Sequence, residues 1–157
     1  MFLNRNDPRW LAVLYYDTTN ALNLGTGQDL GFAPTLTSGG IFTDYGSVAY
    51  GTEDKLQALA FCSTGAGLYF TLDAQTTPLT LLPAYATQSG NTSPTDVVFD
   101  SRTYQRFFVT DSTSIYETKN AGTAFSGPLP SVPSTISPIN ALEFISNNGV
   151  NALLAIG

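Results

Sequence analysis

A short β-rich string ending in an apolar or aromatic residue recurs four times, at Leu3, Tyr50, Phe99 and Phe144. The gaps are 47 residues (3 to 50), 49 residues (50 to 99) and 45 residues (99 to 144). A period of this size means that one supersecondary unit is repeated and stacked, because a single unit cannot bury its own apolar face. That constraint outweighs any local propensity in the chain.

The unit is clearest from Ser93. Ser93-Pro94-Thr95-Asp96-Val97-Val98-Phe99 reads as a strand with Pro94 outside it, and Asp100 to Thr103 as a polar turn. Arg106 to Thr110 is a second strand, Asp111 to Ser114 a turn, and Ile115 to Thr118 a third strand. Ser137-Pro138-Ile139-Asn140-Ala141-Leu142-Glu143-Phe144 restarts the pattern, and Asn148-Gly149 reads as a hairpin turn into Val150 to Ile156. An earlier unit has strands over 47–50, 56–61, 68–71 and 79–82. Glu53 to Phe61 has helical propensity, but its place in the repeat assigns it to a strand. The first unit holds Phe2-Leu3 and then Trp10 to Tyr15. Short strands repeating at this period predict an all-β fold, a β-propeller of four-stranded antiparallel blades. The blades fall at about 1–35, 46–86 and 95–132, with a half blade at 139–157. The expectation is one partial propeller over residues 1–157, about three and a half blades, with other chains or segments completing it.

Composition narrows the function. The 157 residues carry a net charge of −6 with only six Lys and Arg, so no basic stripe exists to displace phosphate counterions, and nucleic acid is not an expected partner. No apolar run reaches the roughly 18–20 residues of a membrane span. Met1 to Arg9 has polar and charged residues where a signal peptide would have an apolar core. Charged residues make up only 11%, and Ser, Thr, Asn and Gly supply the polarity, which favours a secreted or cell-surface protein. There is no histidine and one cysteine, Cys62, so Ser-His-Asp and Cys-His catalysis and an intrachain disulfide are excluded. No metal or cofactor is expected: no carboxylates have calcium-loop spacing, and no Gly-rich loop opens a helix. Asn91-Thr92-Ser93 fits a glycosylation acceptor.

Two segments, 47 residues apart (71 to 118), follow the third strands. Thr118-Lys119-Asn120-Ala121-Gly122-Thr123-Ala124-Phe125 resembles the Asp-box, or BNR repeat, of sialidase- and xyloglucanase-like propellers, Ser/Thr-x-Asp-x-Gly-x-Thr-Trp. Thr118 and Gly122 fit, Asn120 stands for Asp, Phe125 for Trp, and Ala124 departs from Thr. Thr71-Leu72-Asp73-Ala74-Gln75-Thr76-Thr77-Pro78 is the second copy, in which Thr71, Asp73 and Thr77 fit. The resemblance implies that these residues are structural. The acid or amide holds a turn, Gly takes a positive φ, the aromatic enters the core, and the turn lies on the face away from the ligand.

In such propellers the turns from second to third strand and the links between blades form the ligand-binding mouth. The resemblance then places Asp17 and Asp111 there, at matching positions two blades apart. Thr110 and Asp111 with Tyr116 match a xyloglucanase-like segment that carries a catalytic Asp, so Asp111 and Asp17 are the candidate acid and base of a glycoside hydrolase, against the commoner reading of Asp111 as a turn-capping carboxylate at a strand end. Both glycines of that segment are missing. The four arginines fall in or beside first-to-second strand turns and are expected to be solvated charges, which leaves no arginine clamp for a sialidase. Tyr45 and Tyr85 lie in blade links and are the candidate ring-stacking ligand contacts. The leading expectation is a non-enzymatic binding or scaffold module that meets a glycan or a protein through its blade-connection loops. The glycoside hydrolase is the alternative.

Overall fold

The computed structural model describes residues 47–63, 67–73, 77, 79–130, 136–147 and 150–157. They are mostly strand, in antiparallel sheets with one short helix. The first sheet has four strands in sequence order, β1 (Val48–Tyr50), β2 (Leu59–Ser63), β3 (Gly67–Thr71) and β4 (Thr80–Leu81). Helix α1 (Pro83–Ser89) follows. The second sheet has β5 (Asp96–Asp100), β6 (Thr103–Thr110) and β7 (Ile115–Thr118), extended by an antiparallel bridge from Glu117 to Ser126. The third sheet is β8 (Ala141–Asn147) paired with β9 (Val150–Ile156). Among the described residues no sheet closes on itself.

The sheets stack face to face with their first strands adjacent, β1 against β5 and β5 against β8. Successive residues of a strand point to opposite faces, so a strand between two sheets needs apolar residues at nearly every position. This accounts for Arg106-Phe107-Phe108-Val109, a run that would be unstable in a one-sided sheet. Phe107 and Val109 enter the gap toward the first sheet, and Phe108 enters the gap toward the third.

The first gap pairs small residues with large ones. Ala49, Ala60 and Cys62 of the first sheet leave room for Val97, Phe99, Phe107 and Tyr116 of the second. Phe70 stacks on Phe107 at 5.8 Å and meets Phe99 edge-on at 6.4 Å. In the second gap Phe108 stacks on Phe144 at 5.7 Å, with Ile115, Ile139 and Leu142 around them. Each aromatic pair of this kind adds about 0.5–1.5 kcal/mol beyond its area burial.

Strands place the turns at two ends. At one end lie residues 51–58, 101–102 and 119–125. At the other lie α1, the loop 90–95, the β6–β7 turn 111–114 and residues 136–140. The first end is stapled across sheets by Glu53 N–H donating to Ser101 O (2.8 Å) and Tyr104 N–H donating to Asp54 Oδ1 (3.0 Å).

The charges near that end are paired, while Arg102 itself stays exposed and Arg106 partly so. Buried Asp100 accepts from Arg102 Nη2 at 2.8 Å and lies 3.5 Å from Arg106 Nη1. Arg106 Nε donates to Glu117 Oε1 at 2.7 Å, and Lys119 Nζ sits 3.4 Å from Glu117 Oε2. The Arg106 guanidinium also lies over the Phe108 ring, 5.0 Å from its centroid. Arg5 and Arg9 lie outside the described residues. So do the expected strands of the first unit.

The link 83–94, expected as a loop, contains α1. Pro83 opens the helix, where its missing N–H costs nothing. Gly90 closes it in the left-handed conformation (φ 69°), its N–H donating to Ala86 O at 2.9 Å. Residues 53–57 form a turn rather than a helix, and β2 begins at Leu59.

Hydrogen bonds from Arg102 hold the Asp100 carboxyl below its ordinary value against the opposing effect of burial, and the charges of Arg102 and Arg106 add to this. Its folded pKa is depressed, so the stabilisation is present above about pH 4 and is lost as pH falls through the lowered value. Asp100→Asn is expected to cost about 2 kcal/mol at pH 7 in urea denaturation. The difference from the parent should shrink toward pH 2, and a constant difference across that range would overturn the assignment.

Candidate functional site

The end of the sheets that carries α1 is assembled from three segments tied to one another. Thr95 N–H donates to Thr110 O at 2.8 Å, and Ile139 N–H donates to Ser112 O at 2.7 Å. Gln88 Nε2 donates to Gly127 O at 3.0 Å, and Asn91 Nδ2 approaches Asp111 Oδ2 at 3.4 Å. Asp96, at the start of β5, accepts from Val97 N–H on Oδ1 (2.9 Å) and from Leu142 N–H on Oδ2 (2.5 Å). A buried carboxylate oxygen thereby joins the second sheet to the third. From sequence Asp96 reads as part of a strand, with Asn140 as its polar counterpart in the next Ser-Pro unit; that its carboxylate bridges two sheets has no local signature.

Asp111 is buried at the end of β6. Its Oδ1 accepts from Thr113 N–H (3.0 Å), Thr113 Oγ1 (2.8 Å) and Ser114 N–H (2.9 Å). This is an Asx-type turn in which the carboxylate replaces a backbone carbonyl. It permits the left-handed conformation of Ser112 (φ 74°), costly for a residue with a Cβ. The geometry gives Asp111 a turn-holding role.

Asp17 and Tyr45 lie outside the described residues. Tyr85 is placed otherwise than expected. It belongs to α1 and is 1% exposed, with its ring edge-on to Tyr116 at 5.7 Å and to Phe125 at 5.6 Å. It is a core residue whose faces are covered, so it cannot stack on a sugar in this structure. The α1 backbone turns it inward, a consequence of the helix that the Pro- and Gly-flanked link concealed. Burial pushes its phenol up, and the negative charge of Asp111 adds to this. Cys62 is wholly buried, and burial, reinforced by Asp96, pushes its thiol well up, the opposite of what a nucleophilic thiolate needs.

The remaining residues singled out from the sequence sit at the opposite end. Thr118 Oγ1 donates to Asn120 Oδ1 (2.9 Å) and accepts from Gly122 N–H (3.0 Å). Asn120 Oδ1 accepts from Ala124 N–H at 3.0 Å. Gly122 has φ 82°, and a Cβ there would press on Leu82 Cδ1. Phe125 closes the turn by packing edge-on to Phe107 at 5.9 Å. One sheet earlier, Thr71 Oγ1 donates to Thr77 O at 3.1 Å and accepts from Asp73 N–H at 3.3 Å. In both turns the threonine hydroxyl accepts from the N–H two residues on, and in both it follows the third strand of its sheet.

Among the described residues, no group of three or more His, Cys, Asp or Glu is arranged to hold a metal ion, and no helix is long and apolar enough to cross a membrane. Comparison with protein-family models, with curated proteins and with solved structures finds no match.

Two substitutions separate the roles. Asp111→Ala should cost about 1–2 kcal/mol by removing the three hydrogen bonds that hold the β6–β7 turn, whereas Asp111→Asn, which keeps an acceptor, should cost less than half as much in thermal denaturation. Gly122→Ala should cost at least about 2 kcal/mol, from its positive φ together with the overlap of the new Cβ with Leu82 Cδ1. Equal stability of Gly122→Ala and the parent would remove the case for a conformationally specified turn.

Proposed function

We propose that this chain is a binding or scaffold module built of Asp-box-type propeller blades, non-enzymatic, extracellular or on a cell surface. It meets a neutral glycan, or a protein, through the loops at the α1 end of its sheets. The observation that carries this reading is the chemistry of that end. Thr87, Gln88, Thr92, Thr113 and Asn140 are exposed there, and all are uncharged hydroxyl or amide side chains. Such groups donate and accept hydrogen bonds as sugar hydroxyls do, and they carry no charge to pair with an ionised ligand.

The blade assignment is supported by the outward strand order of each sheet, by the adjacency of β1, β5 and β8, and by the paired threonine turns at the other end. A hydrolase with Asp111 as acid or base has less support, because Oδ1 of that carboxylate already serves three donors of its own turn.

Retention on a panel of insoluble polysaccharides and a glycan array tests the reading. Gln88→Trp and Thr92→Trp should lower retention at least 10-fold, and Ala124→Trp at the opposite end should leave it unchanged. Equal loss in all three variants, or no retained glycan or protein, would sink the reading. Release of reducing sugar that disappears in Asp111→Asn would replace it with the hydrolase.

A further inference from the structure

Tyr85 carries a hydroxyl that the fold leaves without a hydrogen bond. The residue is 1% exposed, and among the described residues its O–H meets no partner. A phenol sealed off in this way costs free energy that a phenylalanine of the same shape would not. Packing gives no reason for the oxygen. The ring meets Tyr116 and Phe125 edge-on, contacts that phenylalanine makes equally well. Buried polar groups are nearly all paired, so an orphan of this kind marks a place where something else supplies the bond.

Further polar groups meet at the same place. Ser89 Oγ, one turn along α1, donates to Tyr85 O (2.9 Å) and accepts from Asn91 N–H (3.1 Å). Asn91 Oδ1 accepts from Ser93 N–H (2.8 Å), and its Nδ2 stands 3.4 Å from Asp111 Oδ2, which is long for a hydrogen bond. The two oxygens of Asp111 therefore differ. Oδ1 serves three donors of its own turn, whereas among the described residues Oδ2 has only the long contact with Asn91. Tyr116 pairs with Val109, two residues before Asp111, and its contact with Tyr85 brings that ring to the same end of β6. Burial raises the Tyr85 phenol and the charge of Asp111 raises it further, so the two groups lie within electrostatic reach.

We propose that the Tyr85 hydroxyl and Asp111 Oδ2 are the two halves of a subsite for one hydroxyl group of a neutral sugar. The ligand hydroxyl accepts from the Tyr85 O–H and donates to Asp111 Oδ2, displacing the Asn91 amide. Each protein group finds in it the partner it lacks. Asn91 is half-buried on the loop between α1 and β5, so its side chain is the cover that moves. The pair selects its ligand by polarity. A donor beside a carboxylate acceptor fits one atom that both accepts and donates. An anion is repelled by Asp111, a cation gives the phenol proton no acceptor, and an ether leaves the carboxylate oxygen unpaired. The inference rests on the proposed function and sharpens it: the exposed rim meets the glycan, and this buried pair reads a single hydroxyl.

Retention on insoluble cellulose, xylan, mannan and chitin, read beside ligand-free thermal denaturation, tests it. The parent should be retained on at least one of them. Tyr85→Phe should lower that retention about 10-fold, while its Tm equals the parent's or rises by up to about 3 °C, because no internal bond is lost. Asp111→Asn keeps an acceptor for the turn but sets an NH2 group where the ligand must donate, so retention should fall at least as far. Either variant binding as the parent does would overturn the inference and leave the proposed function standing. So would a Tm of Tyr85→Phe lower than the parent's by about 3 °C or more, which would mean that Ser89 or an internal water already holds the hydroxyl. Retention of the parent on none of the four would remove the ligand class assigned here, and with it the glycan half of the proposed function.

Discussion

Phe107 and Phe108 are neighbours in β6 that enter opposite gaps, and the stack depends on them. Phe107 joins Phe70, Phe99 and Phe125 on the side of the first sheet, and Phe108 joins Phe144 on the side of the third. A strand can supply both gaps only if the sheets lie face to face on either side of it. The second sheet is thus the part of the molecule through which the other two are held in register. Truncating either ring would open a cavity in one gap and leave the opposite ring without support from behind.

Polar side chains then fix what the rings leave loose. Apolar packing is non-directional, so it does not by itself prevent one sheet from sliding over another. Asp96 receives Leu142 N–H, Asp54 receives Tyr104 N–H, and Arg106 reaches Glu117 while lying over Phe108. Each bond crosses a gap or spans adjacent strands at a defined position, and each sits near an end of the stack where water would otherwise compete. The chain has only 11% charged residues, and among the described residues much of that charge is committed to this task. Among the described residues the exposed side chains at the α1 end are uncharged, with Asp96 and Asp111 buried beneath them, and this supports the reading of a glycan- or protein-binding module.

The strands from Asp96 to Thr118 and from Ala141 to Ile156 were legible in the sequence, because β-branched and aromatic runs between polar turns have few alternatives. The box-like turns were legible too, since Thr118, Asn120, Gly122 and Phe125 each act through their own local chemistry. The helix was not. Pro83 and Gly90 read as loop residues, although together they are the opening and closing signals of a single short helix. Tyr85 follows from the helix: an aromatic between Pro83 and Gly90 reads as an exposed link residue, and one helical turn is enough to aim it into the core.

The sequence by itself determined the repeat, the strands, the strand-to-strand turns and the absence of histidine chemistry, because these follow from side-chain type and short-range spacing. The Asp111 turn and the Asp100–Arg102 pair are local, made between residues two or three apart. Only the tertiary structure decided that Arg106 meets Glu117, that Asp96 and Asp54 receive N–H groups from the next sheet, and that Tyr85 is buried. Those outcomes depend on residues about 10 to 50 positions apart meeting between strands or across a gap, and no local pattern encodes which face of a strand a neighbour will cover. The periodic string at Tyr50, Phe99 and Phe144 announced that sheets would stack. The packing of one sheet on the next determined where the stack leaves a surface for something else.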